Sequence, residues 1–471
     1  MLIRVAAVLN SSLGGAVLRD LRVEAPSRFR LVFDAPAGPR SIVASLRPEQ
    51  PWVGRPALRL RPAQAEGTSF AARARKGLLG SILGSVTKLG ADRVLRFGFA
   101  EGHSLVAELA THRANLLLLD GQDRILAWAR RPRSAAGRLA VSSVYRTADL
   151  PPRAFVPFGR EAGEIDGFLA QRESEGESAL EALRRHVFGV GTEAARLILD
   201  ECRTCGRSAG QVLVDRLQGL DRGDLDPVIL APEDPLEAVR RGTLDPRQTR
   251  LLPWDPGSSQ GLAAGYLRAG DAAATAGLYH EALEAWTLLR ERGMALHSVL
   301  AREHERMVLA ERKARRDLES FQDPERHRRW GEALLAGLTR ARRVGGVALV
   351  PDPYDEGAEI GVPVDPGRSL QQSADDRFRA HRRAARGLEH AARRVREVAG
   401  RRARLDALEA RFEGAASETE FDLLERAMRD EGIPIGLVRA RRGRVSRGCG
   451  SFGPRTVGRY SRVAAPATTS A

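Results

Sequence analysis

The sequence predicts a multidomain α+β protein: an α+β domain, a small helical domain, and a long antiparallel coiled-coil arm with a short β element. Three observations carry that expectation. Short apolar runs bounded by Gly, Pro or Asp recur through the first third of the chain. A Gly-Val-Gly turn at residues 189–191 then opens a stretch with helical apolar spacing. Beyond residue 262, two long charged stretches carry apolar residues in steps of three, four or seven.

Length and composition agree. The chain has 471 residues, room for roughly three domains of about 100–200 residues each. Aromatic residues make up 5% and charged residues 29%, a balance suited to long solvated helices. The formal net charge is +15, and only Lys76, Lys88 and Lys313 are lysines, so arginine supplies nearly all the positive charge. A polyanionic partner follows, either nucleic acid or an acidic membrane surface. Arginine forks bind phosphate well. The cysteines are Cys202, Cys205 and Cys449. So sparse and odd a set suggests a reducing compartment. Cys202 and Cys205 have CxxC spacing but lack a second pair to complete a zinc site, and read as two thiols at a helix end. No metal or cofactor is expected. No segment approaches the ~20 apolar residues of a membrane span, and the apolar run at the N-terminus is too short for a secretion signal. The expectation is a cytoplasmic protein.

Residues 1–160 form the α+β domain. Strands are expected at 30–33, 41–45, 94–99, 104–109 and 114–120, with a helix over 70–83. Residues 165–250 form the helical domain. Gly189 and Gly191 flank the turn of a helix-hairpin-helix pattern, in which exposed backbone N–H groups and a helix start cradle a phosphate oxygen. A plain helical turn in a small bundle would read the same way. A proline-rich connector at 252–256 precedes the arm, which occupies 262–435.

In the arm, a helix from Tyr279 to Phe321 carries Leu289, Leu296, Leu300, Met307, Ala314 and Leu318 along one seam. At ~1.5 Å per residue it is about 65 Å long. A shorter helix opens at Arg329 and Trp330, and Trp330 reads as a packing residue. A β-type segment spans 347–365. A return helix over about 375–412 carries Leu388, Ala391, Val395, Val398, Leu405, Leu408 and Phe412 at matching spacing. Between Arg377 and Arg411 it holds twelve arginines against four acids. Arg382, Arg383 and Arg386 are candidate phosphate contacts on that face. Residues 436–471 form a disordered basic tail, with eight arginines and no acid between 439 and 462.

In this order, the pieces resemble the NFACT family: bacterial RqcH, the eukaryotic NEMF-type ribosome quality-control factors, and proteins named fibronectin-binding protein A. Residues 70–82 (FAARARKGLLGSI) resemble the family's F-x-x-x-L-R-K-H-L-x-G-x-x-I helix. Residues 90–97 (GADRVLRF) resemble G-x-D-R-I-x-x-F, and residues 108–120 (ELATHRANLLLLD) resemble E-L-x-G-x-x-x-N-I-I-L-x-D. Tyr145 with 151–152 resembles Y-x-x-P-P. Residues 330–335 (WGEALL) and 362–366 (VPVDP) are similar to W-G-E-L-L and I-P-L-D-P.

The resemblance implies a factor that binds large ribosomal subunits carrying trapped peptidyl-tRNA. It recruits charged, alanyl tRNA and promotes untemplated C-terminal tailing of the nascent chain. Asp92 and Arg93 match the family's tRNA-recruiting Asp-Arg pair; outside the family context such a pair would read as a strand-start salt bridge. Lys76, His112 and Asn115 are further candidate RNA contacts, although His112 and Asn115 also suit the capping of a turn. Peptide-bond chemistry would belong to the ribosome, and no catalytic set is found, so the chain is expected not to be an enzyme. The sequence departs from the family where K-H becomes Lys76-Gly77, where Ala110-Thr111 replaces the glycine of E-L-x-G, and where N-A-x-x-x-F becomes Ser373 to Phe378. The family's C-terminal NFACT-R domain is expected to be missing, wholly or in large part. Two other classes fit parts of the pattern: a DNA-binding helix-hairpin-helix protein, and a fibronectin-binding surface protein.

Overall fold

The computed structural model describes residues 1–25, 27–57, 68–132, 137–149, 154–256, 266–321, 323–355 and 357–435. The basic tail at 436–471 and the proline pair at 151–152 lie outside the described residues. The chain divides into two compact units, Met1–Met294 with Arg411–Leu423, and Ala295–Ala410 with Leu424–Ala471. The fold is α+β, as the sequence predicts.

The first unit opens with helix α1 (Leu2–Leu13). Two antiparallel meanders follow. The first is β1 (Val17–Ala25), β2 (Arg28–Ala35), β3 (Gly38–Ser45) and β4 (Trp52–Gly54), hydrogen-bonded in chain order. Helix α2 (Ser69–Leu78) leads to the second: β5 (Leu83–Lys88), β6 (Val94–Phe99), β7 (Ser104–Glu108), β8 (Asn115–Leu119) and β9 (Ile125–Trp128). Strands β7 and β8 are buried on both faces. Leu105, Ala107, Leu116 and Leu118 enter the main core with α1 and α2, whereas Val106, Leu117 and Leu119 pack against Ile125 and Tyr145. Two-sided burial explains why both strands read as unbroken apolar runs rather than alternating ones. The expected helix over 70–83 stops at Leu78. Gly80 turns the chain with φ of +84°, and Leu83 already pairs with Phe99.

A second core belongs to α3 (Ala162–Ser174), α4 (Ala179–His186), α5 (Thr192–Cys205) and α6 (Ala209–Arg222). Small strands β10 (Val228–Leu230), β11 (Arg250–Leu252) and β12 (Tyr266–Leu267) form a sheet of order β11-β10-β12, with α7 (Pro235–Arg241) between β10 and β11 in the chain.

Helix α8 runs from Ala272 to Ser320, starting seven residues before the expected Tyr279. Asp271 causes the early start: its Oδ1 accepts the N–H groups of Ala273 and Ala274 at 3.0 Å. The first turns pack on the segment 45–57. Here the approach is so close that a Cβ at Gly277 would lie 1.7 Å from the Arg55 carbonyl oxygen. One turn on, Arg28 donates to Glu24 at 2.8 Å, to Glu284 at 2.9 Å, and to Glu281.

In the second unit, the later turns of α8 face α10 (Leu370–Gly414) in antiparallel register. Arg402 donates to Glu311 at 2.6 Å, and His304 meets Glu409 at 3.2 Å. Seam residues Leu296, Leu300, Met307, Ala314, Ala391, Leu405 and Leu408 are buried, as their spacing requires. Helix α9 (Pro324–Ala336) starts five residues before the expected Arg329, because Asp323 caps it by accepting the Arg326 N–H at 2.8 Å. The β element is a three-stranded meander, β13 (Arg342–Val344), β14 (Val347–Pro351) and β15 (Glu359–Pro363). It shares a core with Leu334 of α9 and Ala374 of α10. Helix α11 (Glu418–Asp430) follows α10.

Gly277→Ala is expected to destabilise the first unit by at least roughly 1–3 kcal/mol, because the new methyl group meets backbone rather than a movable side chain. Chemical denaturation followed by Trp fluorescence checks this; an unchanged midpoint would mean that α8 does not lie this close to β4.

Candidate nucleic-acid interface

The register of the second meander decides which residues meet. Val94 pairs with Glu108, and Glu108 with Asn115. Asp92 and Arg93, just before β6, therefore lie beside the turn that joins β7 to β8. The Leu109 N–H donates to the Arg93 carbonyl at 2.8 Å. That turn contains a single 3-10 turn, Thr111–Arg113. The connection between β3 and β4 closes the same end, because Arg93 Nη2 donates to the Pro51 carbonyl at 3.2 Å and Arg130 donates to the Leu46 carbonyl at 3.2 Å.

Asp92 and Arg93 do not form the side-chain salt bridge that a strand start can carry. Asp92 Oδ1 instead accepts the Arg93 backbone N–H at 2.7 Å. The arginine side chain is exposed but lies along the 50–52 turn. Crowding by the surrounding protein lowers its pKa from the ordinary value, with the Asp92 charge opposing. Because an arginine ordinarily titrates far above neutrality, the guanidinium remains cationic at neutral pH. His112 is exposed at the same rim. So are Arg113 and Arg131, for which no ion-pair partner is found among the described residues. The sequence alone does not single out these two arginines. Their signal is weak: Arg113 shares a turn with His112, and Arg131 follows β9, but only strand pairing places both near Arg93.

The other predicted residues divide. Asn115 is buried at 3% exposure. Its Nδ2 donates to the Arg130 carbonyl at 2.8 Å, and its Oδ1 accepts the Leu116 and Arg130 N–H groups at 2.9 Å each. Those bonds make it a turn-fixing residue, the role that its place after the turn allowed. Lys76 is exposed on α2 near the opposite end of the sheet, since a Cβ on its neighbour Gly77 would lie 3.9 Å from His103 in the β6–β7 turn. Gly189 has φ of +85°, which favours glycine, and exposed Gly191 precedes α5, whose start has no side-chain cap.

In the second unit, Arg382, Arg383 and Arg386 are exposed on α10. Together with Arg379 and Arg393 they recur at spacings that share one helix face, opposite the buried seam of Ala391, Leu405 and Leu408. Arg379 pairs with Asp376 at 2.7 Å and Arg393 with Glu397 at 3.5 Å, whereas Arg382, Arg383, Arg386, Arg394 and Arg396 have no ion-pair partner among the described residues. Trp330 cannot stack on a base as it stands: Arg326 and Arg377 lie over its ring at 4.4 and 4.8 Å from the centroid. It is a packing residue, as expected.

The group among the described residues that could chelate a metal is His304, Asp406 and Glu409. His304 Nδ1 lies 3.2 Å from Glu409 and 3.8 Å from Asp406, and all three side chains reach solvent. A hydrogen bond between His304 and Glu409 on facing helices accounts for that geometry.

Glu108 also gains a role. Buried beside the rim, it accepts from Tyr145 Oη at 2.9 Å and from Arg138 at 2.5 and 3.0 Å. Burial and the Glu108 charge push the Tyr145 phenol pKa well up, so it stays a donor at all physiological pH.

Asn115→Ala is expected to cost roughly 1–3 kcal/mol of stability, by leaving buried backbone groups unpaired. Chemical denaturation checks this, and an unchanged midpoint would mean that these bonds do not hold the turn.

The NFACT N-terminal and middle domains family model matches residues 1–220 and 272–436. No curated protein matches this chain at a significant level. Among solved structures, the fibrinogen-binding protein from Staphylococcus aureus is similar, with 13% identity and a TM-score of 0.43, covering 57% of this chain and 95% of that chain. The N-terminal domain of a fibronectin-binding protein from Streptococcus pneumoniae shows 15% identity and a TM-score of 0.37, covering 49% of this chain and 89% of that chain. For the N-terminal part of the fibronectin/fibrinogen-binding protein from Streptococcus suis the values are 15% and 0.39, with 49% and 85% covered. The family match spans most of the sequence, and this chain belongs to the NFACT family.

Proposed function

We propose that this protein is an RNA-binding ribosome quality-control factor. It binds large ribosomal subunits on which peptidyl-tRNA is trapped, recruits charged tRNA, and promotes untemplated tailing of the nascent chain. It supplies positioning rather than covalent chemistry, with peptide-bond formation left to the ribosome. The observation that carries this reading is the rim of the second meander, where Arg93, His112, Arg113 and Arg131 present cationic or donor groups at one end of a rigid sheet. Membership of the NFACT family supports it. The helix start at Gly191 adds backbone donors suited to phosphate.

Two tasks are assigned to two surfaces. The rim selects tRNA, with Arg93 as the fork and Asp92 shaping the strand start. The arginine face of α10 binds ribosomal RNA through phosphates, without reading sequence. No helix among the described residues is long and apolar enough to cross a membrane.

Asp92→Ala combined with Arg93→Ala should lower tRNA recovery about tenfold or more, a loss of ~1.4 kcal/mol or greater, and leave large-subunit binding largely intact. Unchanged recovery would return the pair to a structural role. Replacing Arg382, Arg383 and Arg386 with Gln should flatten the log–log salt dependence of large-subunit binding by about 0.7–0.9 for each phosphate no longer neutralised. An unaltered slope would remove that face from the interface. Preference for duplex DNA over ribosomal particles in competition would favour a DNA-binding role.

A further inference from the structure

Behind the rim lies a buried polar relay that no part of the RNA reading requires in itself. Gln50 Nε2 donates to His280 Nδ1 at 2.9 Å. The imidazole stacks on Trp52, with ring centroids 5.7 Å apart and planes 11° from parallel. Trp52 Nε1 reaches Glu284 at 3.4 Å, and Arg28 lies over the Trp52 ring at 5.5 Å. Between Gln50 and Trp52 stands Pro51, whose carbonyl accepts from Arg93 at 3.2 Å. One histidine on α8 thus contacts the residues on both sides of Pro51, whose carbonyl is the acceptor for the exposed arginine.

His280 is 8% exposed. Burial, then the nearby Arg93 charge, depress its pKa to about 3. It is therefore neutral across the physiological range and accepts at Nδ1 from an amide that can only donate at Nε2. A protonated ring would lose that bond and repel Arg93.

We infer that His280 is a positioning residue for Arg93, acting through Gln50 and the Pro51 carbonyl, so that helix α8 sets the aim of the tRNA-facing guanidinium. This rests on the RNA reading for its consequence but not for its mechanics. The guanidinium has several rotatable bonds and would otherwise sample many directions; a fixed acceptor spares that ordering cost on binding. Asn at position 280 offers an amide oxygen near the place of Nδ1 and can accept from Gln50, whereas Ala cannot.

Two readouts test it on the full chain. In hydrogen–deuterium exchange without RNA, His280→Ala should raise exchange in peptides covering 46–52 and 92–94 while those of α5 and α6 stay unchanged. His280→Asn should restore protection. In binding of bulk tRNA, His280→Ala should weaken affinity about tenfold, and should have no further effect when Arg93→Ala is already present, as coupled residues do. Gln50→Ala, a less buried change, should reproduce both effects if His280→Ala does not fold. Unaltered exchange at 92–94, or losses that simply multiply in the double variant, would overturn the positioning role. If the wild-type chain does not bind tRNA but the exchange pattern appears, the positioning stands and the RNA reading falls.

Discussion

The first unit depends on one buried arginine. Arg28 sits 4% exposed among three carboxylates, Glu24, Glu281 and Glu284. Burial alone would lower its pKa, but Glu284, Glu281 and Glu24 outweigh that and raise it, so it stays charged. Taking several ions out of water costs several kcal/mol each, and Arg28 does not balance three negative charges alone. Arg30 shares Glu24, the Ala57 N–H donates to Glu281 at 2.7 Å, and Ser45 and Trp52 donate to Glu284. Every carboxylate therefore has more than one donor. An apolar cluster of the same volume could stabilise as well. What the ionic cluster adds is register: Glu281 and Glu284 are one turn apart on α8, and a shift by one residue would bury them unpaired. The placement of Gly277 under Arg55, and of His280 behind Trp52, follows from that register.

This explains what was legible in the sequence and what was not. Strand β6 matches its expected bounds, and β7 and β8 nearly do, because their apolar content is dictated by two-sided burial. Helix starts were misplaced where a single aspartate decides them, as Asp271 and Asp323 do. Helix α1 had no predicted counterpart; it is short and begins without a side-chain cap. Arg28 carried no signal at all, since an arginine in a strand ordinarily reads as a solvated residue. Its meaning depends on partners more than 250 positions away. The same holds for the rim. Asp92 and Arg93 stand out through a family resemblance, whereas Arg113 and Arg131 become neighbours only through strand pairing. Asn115 reads in the sequence as either a contact or a cap, and the structure gives it three backbone bonds of the kind a cap makes.

The positive charge of the chain is likewise not uniform in use. Many arginines are engaged within the fold, on Glu108, Asp123, Glu201 or Glu311. Among the described residues, exposed arginines without a carboxylate partner include Arg113 and Arg131 beside Arg93 and Arg382, Arg383 and Arg386 on one face of α10, and others stand elsewhere, such as Arg184, Arg312 and Arg340. A net charge of +15 does not by itself say where an anion binds. Sequence-independent phosphate binding needs a cationic face and little else, whereas the Arg93 guanidinium at the rim is held by the Pro51 carbonyl.

The most direct measurement is gradient sedimentation of the tagged protein from cells whose ribosomes have been stalled, with sequencing of the RNA that co-purifies. The account predicts co-migration with large subunits and recovery of tRNA along with ribosomal RNA. Migration away from all ribosomal particles, with no tRNA in the purified fraction, would contradict it.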